Sequence, residues 1–210
     1  MTRILIADDH DVVRSGLRAV LESQPGWKVV AEAADGKDAI GKAAATKPDV
    51  AVLDYMMPLI NGLEATRHIR ARLPKTEVLI FTIHEDEQLI AEVLNAGARG
   101  YVLKTDLSRQ LLAAIQSLAE HKPFFSGTVS EALLASFLAQ RPPNGVGLSH
   151  QERTVVQLIA EGHSNRQVGK ILEINLKTVE NRRAAIMRKL NLSSSAEIVL
   201  YAIRNGVIEP

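Results

Sequence analysis

The stretch VAVLDYMMPLING, from Val50 to Gly62, joins an apolar run to a single acid and then to a loop. Val50 to Leu53 is short and wholly apolar, which is typical of a strand buried on both faces of a sheet. Asp54 follows at once, and Pro58 and Gly62 indicate a turn into the next element. The stretch therefore predicts a core strand whose carboxyl end presents a carboxylate, and we expect that position to leave the charge unburied.

Similar apolar runs recur on both sides of this stretch, with amphipathic helical segments between them. Because successive parallel strands need helical crossovers, the alternation predicts an α/β fold with a doubly wound, five-stranded parallel sheet covered on both faces. The predicted strands are Ile4 to Ala7, Val29 to Ala33, Val50 to Leu53, Val78 to Phe81 and Tyr101 to Leu103. The helical segments include Val12 to Glu22, Gly36 to Ala45, Gly62 to Leu73 and Glu87 to Ala96.

The pattern changes after residue 121. We predict a first domain over residues 1–121, a linker with a helical segment over 122–147, and a small all-α domain of four helices over 148–210. Within the linker, Val129 to Gln140 has helical periodicity, whereas Arg141 to Gly147 is rich in proline and glycine. The helices of the last domain are expected to begin after Ser149, Ser164, Asn175 and Ser194, the last forming a capping box with Glu197.

Composition limits the class of protein. The 210 residues are 46% hydrophobic, enough for one or two domains, and the chain has no cysteine. The lack of cysteine excludes a disulfide framework, a thiolate metal site and a cysteine nucleophile, and it fits a reducing compartment. The opening MTRILIADDH is too briefly apolar for a signal peptide or a membrane span. We therefore expect a soluble cytoplasmic protein with no membrane partner.

Charge is distributed unevenly along the chain. Residues 146–210 contain nine Lys and Arg against six Asp and Glu, although the whole chain has a net charge of only +1. Within Lys177 to Lys189 there are five positive residues and one negative residue. Such a cluster fits a nucleic-acid contact, but a solvated helix face explains it equally well.

Polar side chains follow four of the five predicted strands. Because the carboxyl ends of parallel strands meet at one edge of a sheet, we expect these side chains to lie together. Grouped acids favour a hard cation such as Mg²⁺, and a lysine and a hydroxyl suit phosphoryl oxygens. The alternative is that each is an ordinary loop charge. The residues are Asp8, Asp9, Asp54, Thr82 and Lys104, with His10 and His84 interpreted as residues of the rim.

Residues 1–121 resemble the receiver domain of two-component response regulators through ILIADDH, LDYMMPLINGLEA, IFT and GARGYVLK. The resemblance implies a flavodoxin-like fold in which Asp54 accepts a phosphoryl group from a histidine kinase. It implies that Mg²⁺ is held by Asp8, Asp9, Asp54 and the backbone carbonyl of Met56. It also implies that Thr82 turns toward the phosphoryl group and that Tyr101 follows as an aromatic switch.

Residues 149–208 resemble the LuxR-type helix-turn-helix domain through QLIAEGHSN, KTVENRR, IMRKL and YAIRNG. Together the two parts resemble the NarL/FixJ class of transcription factors. Leu176, Val179, Ile186 and Leu190 recur at helical spacing and are expected to be buried. On the opposite face, base reading is predicted for Glu180, Asn181 and Ala184, and phosphate contacts for Lys177, Thr178, Arg182, Arg183 and Lys189. A surface pair of Glu180 with Lys177 is the alternative for that acid.

The tail departs from the usual family pattern at four positions. Gln151 replaces arginine, Asn175 replaces serine or threonine, Arg182 replaces histidine, and Gly169 replaces alanine. Asn175 is an equally good helix cap, and Arg182 adds a charge that suits phosphate. We expect Gly169 to lower local stability by about 0.5 to 1 kcal/mol relative to alanine.

The last predicted helix, Ser195 to Asn205, is more apolar than a lone four-helix domain obviously requires. Its apolar residues include Ile198, Leu200, Tyr201 and Ile203. In the family this helix is the usual dimer contact, which implies a homodimer on two DNA half-sites. Packing within the domain core is the alternative.

The most consistent function is a phosphorylation-gated transcription regulator acting on double-stranded DNA. We expect phosphorylation to change the receiver surface, to release or reorient the tail and to favour a DNA-bound dimer, with no enzymatic activity beyond self-phosphorylation and dephosphorylation at Asp54. A haloacid dehalogenase type of phosphatase needs an acid where Met56 stands. A ligand-sensing LuxR protein needs a deep apolar pocket, and only 4% of residues are aromatic. A phosphorylation-independent receiver is a further alternative, against which the intact acid, Thr and Lys set argues.

Overall fold

The computed structural model describes residues 1–84, 87–105, 108–127, 130 and 148–208. The chain forms two compact units, Met1–Pro143 and Asn144–Pro210. Apart from residue 130, the helical segment predicted over 129–140 lies outside the described residues, and so does the proline-rich part of the linker. The predicted domain limits therefore stay a prediction.

The first unit is a parallel sheet with helices on both faces. Its strands follow the order β2-β1-β3-β4-β5-β6, so the chain reverses direction of winding beside β1. The strands are β1 (Thr2–Ala7), β2 (Trp27–Ala33), β3 (Val50–Leu53), β4 (Glu77–Thr82), β5 (Gly100–Leu103) and β6 (Phe124–Phe125). The helices are α1 (Asp11–Glu22), α2 (Gly36–Thr46), α3 (Gly62–Arg72), α4 (Glu87–Asn95) and α5 (Ser108–Ala119).

Alternate residues of the central strands fill two separate cores. In β3, Ala51 and Leu53 join the core on one face, while Val50 and Val52 join the core on the other. All four residues of β3 are buried, as predicted for a strand covered on both faces. The doubly wound parallel sheet and its five predicted strands are confirmed.

The register of the strands aligns their carboxyl ends. Leu53 of β3 pairs with Ala7 of β1 and with Ile80 of β4. The backbone N–H of Asp54 donates to the carbonyl of Ala7 at 2.8 Å. The residues that follow β1 and β3 therefore emerge side by side at one edge of the sheet.

A sixth strand extends the sheet beyond the predicted five. Phe124 and Phe125 pair with Gly100 and Tyr101 of β5, and the N–H of Ser126 donates to the Tyr101 carbonyl at 3.3 Å. Phe124 packs against one core and Phe125 against the other. The start of the predicted linker therefore lies on the sheet. The sequence does not indicate this strand, because two residues are too few to produce a periodic pattern.

The second unit consists, within the described residues, of four helices around one apolar core. They are α6 (His150–Ala160), α7 (Asn165–Ile171), α8 (Leu176–Lys189) and α9 (Ser195–Arg204). Ser149, Ser164, Asn175 and Ser194 cap them as predicted. At Ser194 half of the predicted capping box is formed. Ser194 Oγ accepts from the N–H of Glu197, but Glu197 Oε2 accepts from the N–H of Ser193 instead of Ser194. The described residues include no helix that meets the length and hydrophobicity needed to span a bilayer.

One prediction about the second unit was wrong, and a close contact opposes a second. Leu176 is 41% exposed, because the first turn of α8 extends past the core that Val179 and Ile186 enter. At Gly169, a Cβ would lie 2.9 Å from the carbonyl oxygen of Ile174, whose N–H donates back to the Gly169 carbonyl. The turn after α7 approaches so closely that an alanine would require a backbone shift. The expected gain from alanine is therefore offset.

Candidate functional site

Asp54 lies at the carboxyl end of β3 in a cluster of two acids and one lysine. Lys104 Nζ is 2.7 Å from Asp54 Oδ2 and 2.7 Å from Asp8 Oδ2. Lys104 follows β5, and its backbone N–H donates to the carbonyl of Thr82 at 2.7 Å. The sheet thus brings residues that are 50 and 96 positions apart along the chain into direct contact.

The Asp54 carboxylate is buried, contrary to the expectation that its charge stays in solvent. The residue is 5% exposed, and this burial raises its pKa from 3.8 to about 6, against the opposing effect of the Lys104 hydrogen bond. The nearby charge of Asp8 also raises the pKa, whereas the backbone N–H of Met56 lowers it by donating to the carboxylate. The acid is ionised at neutral pH but poised near its titration range.

Lys104 is held in its charged form by the two acids. Burial alone favours the neutral amine, but the hydrogen bonds and charges of Asp54 and Asp8 outweigh it and raise the pKa of Lys104. One ammonium cannot neutralise two carboxylates and the adjacent Asp9. The cluster therefore keeps a negative charge that a cation would balance.

The acids after β1 have the chemistry of a magnesium site. Asp8 Oδ2 is buried and receives no hydrogen bond of regular geometry from the described residues, although the Lys104 ammonium is close. Asp8, Asp9 and His10 offer ligand atoms that lie within 4.8 Å of one another. Carboxylate oxygens are the ligands that Mg²⁺ prefers, and the imidazole is not one of them. The residues present therefore fit a hard divalent cation.

His10 has the rim position that was predicted for it. Its side chain is exposed, and Nδ1 lies 2.9 Å from Asp9 Oδ1 and 3.4 Å from Asp8 Oδ1. The charge of Asp9 is the main cause that raises the pKa of His10. His10 also donates its backbone N–H to Asp8 Oδ1 at 2.9 Å, which fixes that carboxylate.

Thr82 and Tyr101 both contact the backbone of His84. The His84 N–H donates to Thr82 Oγ1 at 3.4 Å, and the Tyr101 hydroxyl donates to the His84 carbonyl at 2.6 Å. Tyr101 is completely buried, and its own backbone pairs with Phe125 of β6. The loop after β4, the tyrosine and the start of the linker are therefore connected by hydrogen bonds.

The sequence interpretation missed two features of the site. Arg14 Nη1 donates to the Asp8 carbonyl at 2.7 Å, and its guanidinium also contacts Asp11, so this arginine braces the loop that carries the acid pair. Gly62 lies so close to the Asp54 carbonyl that a Cβ would be 2.0 Å from its oxygen. Arg14 lies in the first turn of the helix that follows the acid pair, which is a signal for the first feature, whereas Gly62 indicates a turn but not how closely the two backbone segments approach.

Helix α8 presents the second predicted site, and all three of its base-reading candidates are exposed. Glu180, Asn181 and Ala184 face solvent. Lys177 is 79% exposed at its side chain, and its Nζ lies 3.6 Å from Glu180 Oε2. An exposed pair of this kind contributes little to stability, so both residues are available to a ligand.

The predicted phosphate contacts of α8 differ in their surroundings. Arg182 is half-buried, and the Thr178 hydroxyl donates to the capping Asn175 at 2.9 Å. Arg183 donates to side chains on two other helices, and Lys189 Nζ lies 2.9 Å from Glu152 Oε2 on α6. Partial burial favours a higher pKa for Glu152, but Lys189 and Ser149 outweigh it and lower that pKa. Among the cations of α8, Lys177 is therefore exposed, whereas Arg183 and Lys189 contact side chains of other helices.

Helix α9 divides its apolar residues between core and surface. Ile198 and Ala202 are completely buried, whereas Leu200 is 50% exposed and Ile203 is 37% exposed. Each of the two sequence interpretations of this helix accounts for one of these faces. Core packing explains Ile198, and it leaves the exposed face unexplained.

Two protein families match the chain. The family described as response regulator receiver domain matches residues 4–116. The family described as bacterial regulatory proteins, luxR family, matches residues 146–202. The two matches correspond to the two compact units.

Individual proteins match over nearly the whole chain. The oxygen regulatory protein NreC of Staphylococcus epidermidis is 37% identical and the alignment covers 99% of each chain. A LuxR-family two-component response regulator from Aurantimonas sp. SI85-9A1 is 36% identical with a TM-score of 0.63, covering 66% of this chain and 99% of that one. A structure of two RcsB dimers bound to two parallel DNAs is 26% identical with a TM-score of 0.59, covering 95% and 96%.

Proposed function

Since the chain belongs to the LuxR-family two-component response regulators, which are phosphorylation-gated DNA-binding transcription regulators, we propose that Asp54 receives the phosphoryl group from a histidine kinase. The observation that carries this assignment is the buried Asp54 carboxylate held 2.7 Å from the Lys104 ammonium. Membership of this family argues against the phosphatase and the ligand-sensor alternatives.

The proposed transfer needs an ionised acid and groups that stabilise the incoming charge. With a pKa of about 6, Asp54 is mostly ionised at neutral pH and can attack phosphorus. A bond forms between an Asp54 oxygen and phosphorus, the bond from phosphorus to the donor imidazole nitrogen breaks, and that nitrogen takes a proton. Lys104 stabilises a phosphoryl oxygen, while the Thr82 hydroxyl turns to donate to another and Tyr101 follows.

Magnesium is proposed as the cofactor of this step. Asp8, Asp9, Asp54 and the backbone carbonyl of Met56 would hold it. When bound, the ion neutralises charge on the transferred group. The negative charge that Lys104 leaves uncompensated supports this assignment.

DNA reading is assigned to α8 as a recognition helix. Glu180, Asn181 and Ala184 would reach base edges, with Asn181 suited to adenine and Glu180 to cytosine. Lys177, Thr178 and Arg182 would contact phosphates, and the exposed face of α9 would join two copies on neighbouring half-sites. Because RcsB is seen as dimers on DNA, we propose the same assembly for this chain. Chromosomal DNA as target implies a cytoplasmic location.

Labelling with a small phosphodonor tests the acceptor. The unmodified chain should incorporate radiolabelled phosphate from acetyl phosphate in the presence of Mg²⁺, and Asp54→Asn should not. Asp38→Asn removes a surface acid that pairs with Lys42 and should label normally. Label that persists on Asp54→Asn would contradict the assignment of Asp54 as the phosphoryl acceptor. If labelled and unlabelled chains bind DNA equally, the receiver is phosphorylation-independent instead.

A further inference from the structure

The guanidinium of Arg183 joins three helices of the second unit. Nη1 donates to Asn165 Oδ1 at 3.3 Å and Nη2 donates to Ser195 Oγ at 2.5 Å. Asn165 is the first residue of α7 and Ser195 is the first residue of α9, while Arg183 lies near the middle of α8. One planar group therefore fixes α8 against the starts of both neighbouring helices.

Hydrogen-bond geometry, rather than charge, holds Arg183 in this position. Both acceptors are neutral, and the start of a helix has a partial positive charge that repels a cation. The contact therefore depends on the fork of the guanidinium, which offers two nitrogens in fixed directions. A lysine would keep the charge and lose one of the two bonds. Arg183 also differs from Lys177, which projects into solvent from the same helix.

A second contact holds the end of the same helix. Lys189 Nζ lies 2.9 Å from Glu152 Oε2, and this oxygen also accepts from the Ser149 N–H at 2.6 Å. Helix α8 is thus fastened near its middle and at its last residue to the starts of α7, α9 and α6. The residues next to the central attachment are Asn181, two positions before it, and Ala184, one position after it.

We propose that Arg183 is a positioning residue that sets the orientation of α8 on DNA, and that it is not one of the phosphate contacts. The inference rests on the proposed reading of bases by α8. As a consequence, the cations of this helix have different roles in DNA binding. Exposed Lys177 supplies sequence-independent affinity, whereas Arg183 supplies discrimination between sequences because it places Asn181 and Ala184.

Salt dependence of binding separates the two roles. The slope of log K against log salt is negative, and each phosphate contact that is lost lowers its magnitude by about 0.9. A misplaced helix lowers specific affinity without changing the slope. The probes are a duplex selected by the unmodified chain from a randomised library and a scrambled duplex of the same length. The variants are Arg183→Lys, Arg183→Gln and Lys177→Gln, each measured well below its melting temperature.

Arg183→Lys should lose about tenfold in affinity for the selected duplex, the value of one base contact, and nothing for the scrambled duplex. Its salt slope should match that of the unmodified chain. Lys177→Gln should weaken both duplexes and lower the slope by about 0.9. Adding Ser195→Ala to Arg183→Gln should cause little further loss, because the shared contact is already gone.

The opposite pattern overturns the inference. If Arg183→Lys binds like the unmodified chain and Arg183→Gln lowers the slope by about 0.9, Arg183 is a phosphate contact. If the Arg183 variants fail to fold, Ser195→Ala alone removes one acceptor without changing charge. Unchanged affinity of that variant for the selected duplex contradicts the proposal. A chain that selects no duplex at all refutes the proposed DNA reading, and the role of Arg183 with it.

Discussion

Asp54 combines two requirements that oppose each other at a single residue. A phosphoryl acceptor must be ionised, which solvent favours, and its product must be kept in a fixed, partly dry site. Burial raises the pKa of Asp54 to about 6, and the hydrogen bond from Lys104 limits that rise. The residue therefore stays charged at neutral pH at the expense of folding stability.

This balance predicts that Asp54→Asn stabilises the first unit. A pKa raised from 3.8 to about 6 means that the folded chain binds the proton more tightly, so the free energy of unfolding falls as pH rises between these values. Asparagine resembles the neutral acid and avoids that loss. We expect a gain of about 2 to 3 kcal/mol at pH 7.5, by the conversion of about 1.4 kcal/mol per pKa unit. Urea unfolding in EDTA measures it.

The control for this prediction is Asp38→Asn, which removes an exposed acid and should give no gain. The difference between Asp54→Asn and the unmodified chain should shrink as pH falls and disappear near pH 4. A gain that is the same at pH 4 and pH 7.5 would show that charge burial is not its cause.

At the scale of elements, the loop from β3 to α3 depends on a close approach of two backbone segments. Gly62 begins α3, and its N–H donates to the Tyr55 carbonyl at 2.9 Å. Asn61 caps the helix by accepting from the Glu64 N–H at 3.0 Å. The loop is therefore folded tightly around the acceptor, and this fixes the Met56 N–H that donates to Asp54.

Gly62→Ala should disrupt this loop, since the added Cβ would lie 2.0 Å from the Asp54 carbonyl oxygen. We expect a loss of about 3 kcal/mol in the free energy of unfolding and weaker labelling of Asp54. Gly41→Ala is the matched control, because it lies in the exposed middle of α2 with open space around it. That variant should gain about 0.5 to 1 kcal/mol in urea unfolding. Equal effects of the two substitutions would contradict the account.

Sequence predicted the elements well where periodicity and caps agree, and less well where tertiary contacts decide. The predicted strand Val50 to Leu53 matches β3, because four apolar residues before a loop fit few other structures. Phe124 and Phe125 lie in the predicted linker and yet form β6, because two residues give no period and their pairing with β5 is a long-range event. Gly169 looked like a weakness, although the turn after α7 requires its small size. Leu176 shows that an apolar spacing does not fix where a core ends.

The same limit applied to the candidate site. The acids, the threonine and the lysine were predictable together, because strand ends converge whatever the details of packing. The burial of Asp54 was not predictable, because it depends on the loop that folds over it. The partners of Arg183 were also hidden, since they lie 18 and 12 residues away on other helices.

At the scale of the whole molecule, phosphorylation of the receiver has to change the behaviour of the DNA-binding unit. Tyr101 contacts the loop after β4 through its hydroxyl and β6 through its backbone. Hydrogen bonds therefore connect the loop after β4 to the first residues of the linker. In the second unit, Leu200 and Ile203 form an exposed apolar face of α9, which we propose joins two copies.

The last prediction concerns that surface. Leu200→Asp places a charge at a half-exposed position, so it should spare the core that Ile198 and Ala202 fill. If α9 joins two copies on DNA, the charge should weaken binding to a duplex with two half-sites by at least about tenfold, the size of a modest interface contact. Binding to a duplex with one half-site should stay unchanged, which controls for folding. Equal losses on both duplexes would place Leu200 at the DNA or in the fold, and no loss on either would leave α9 outside the dimer.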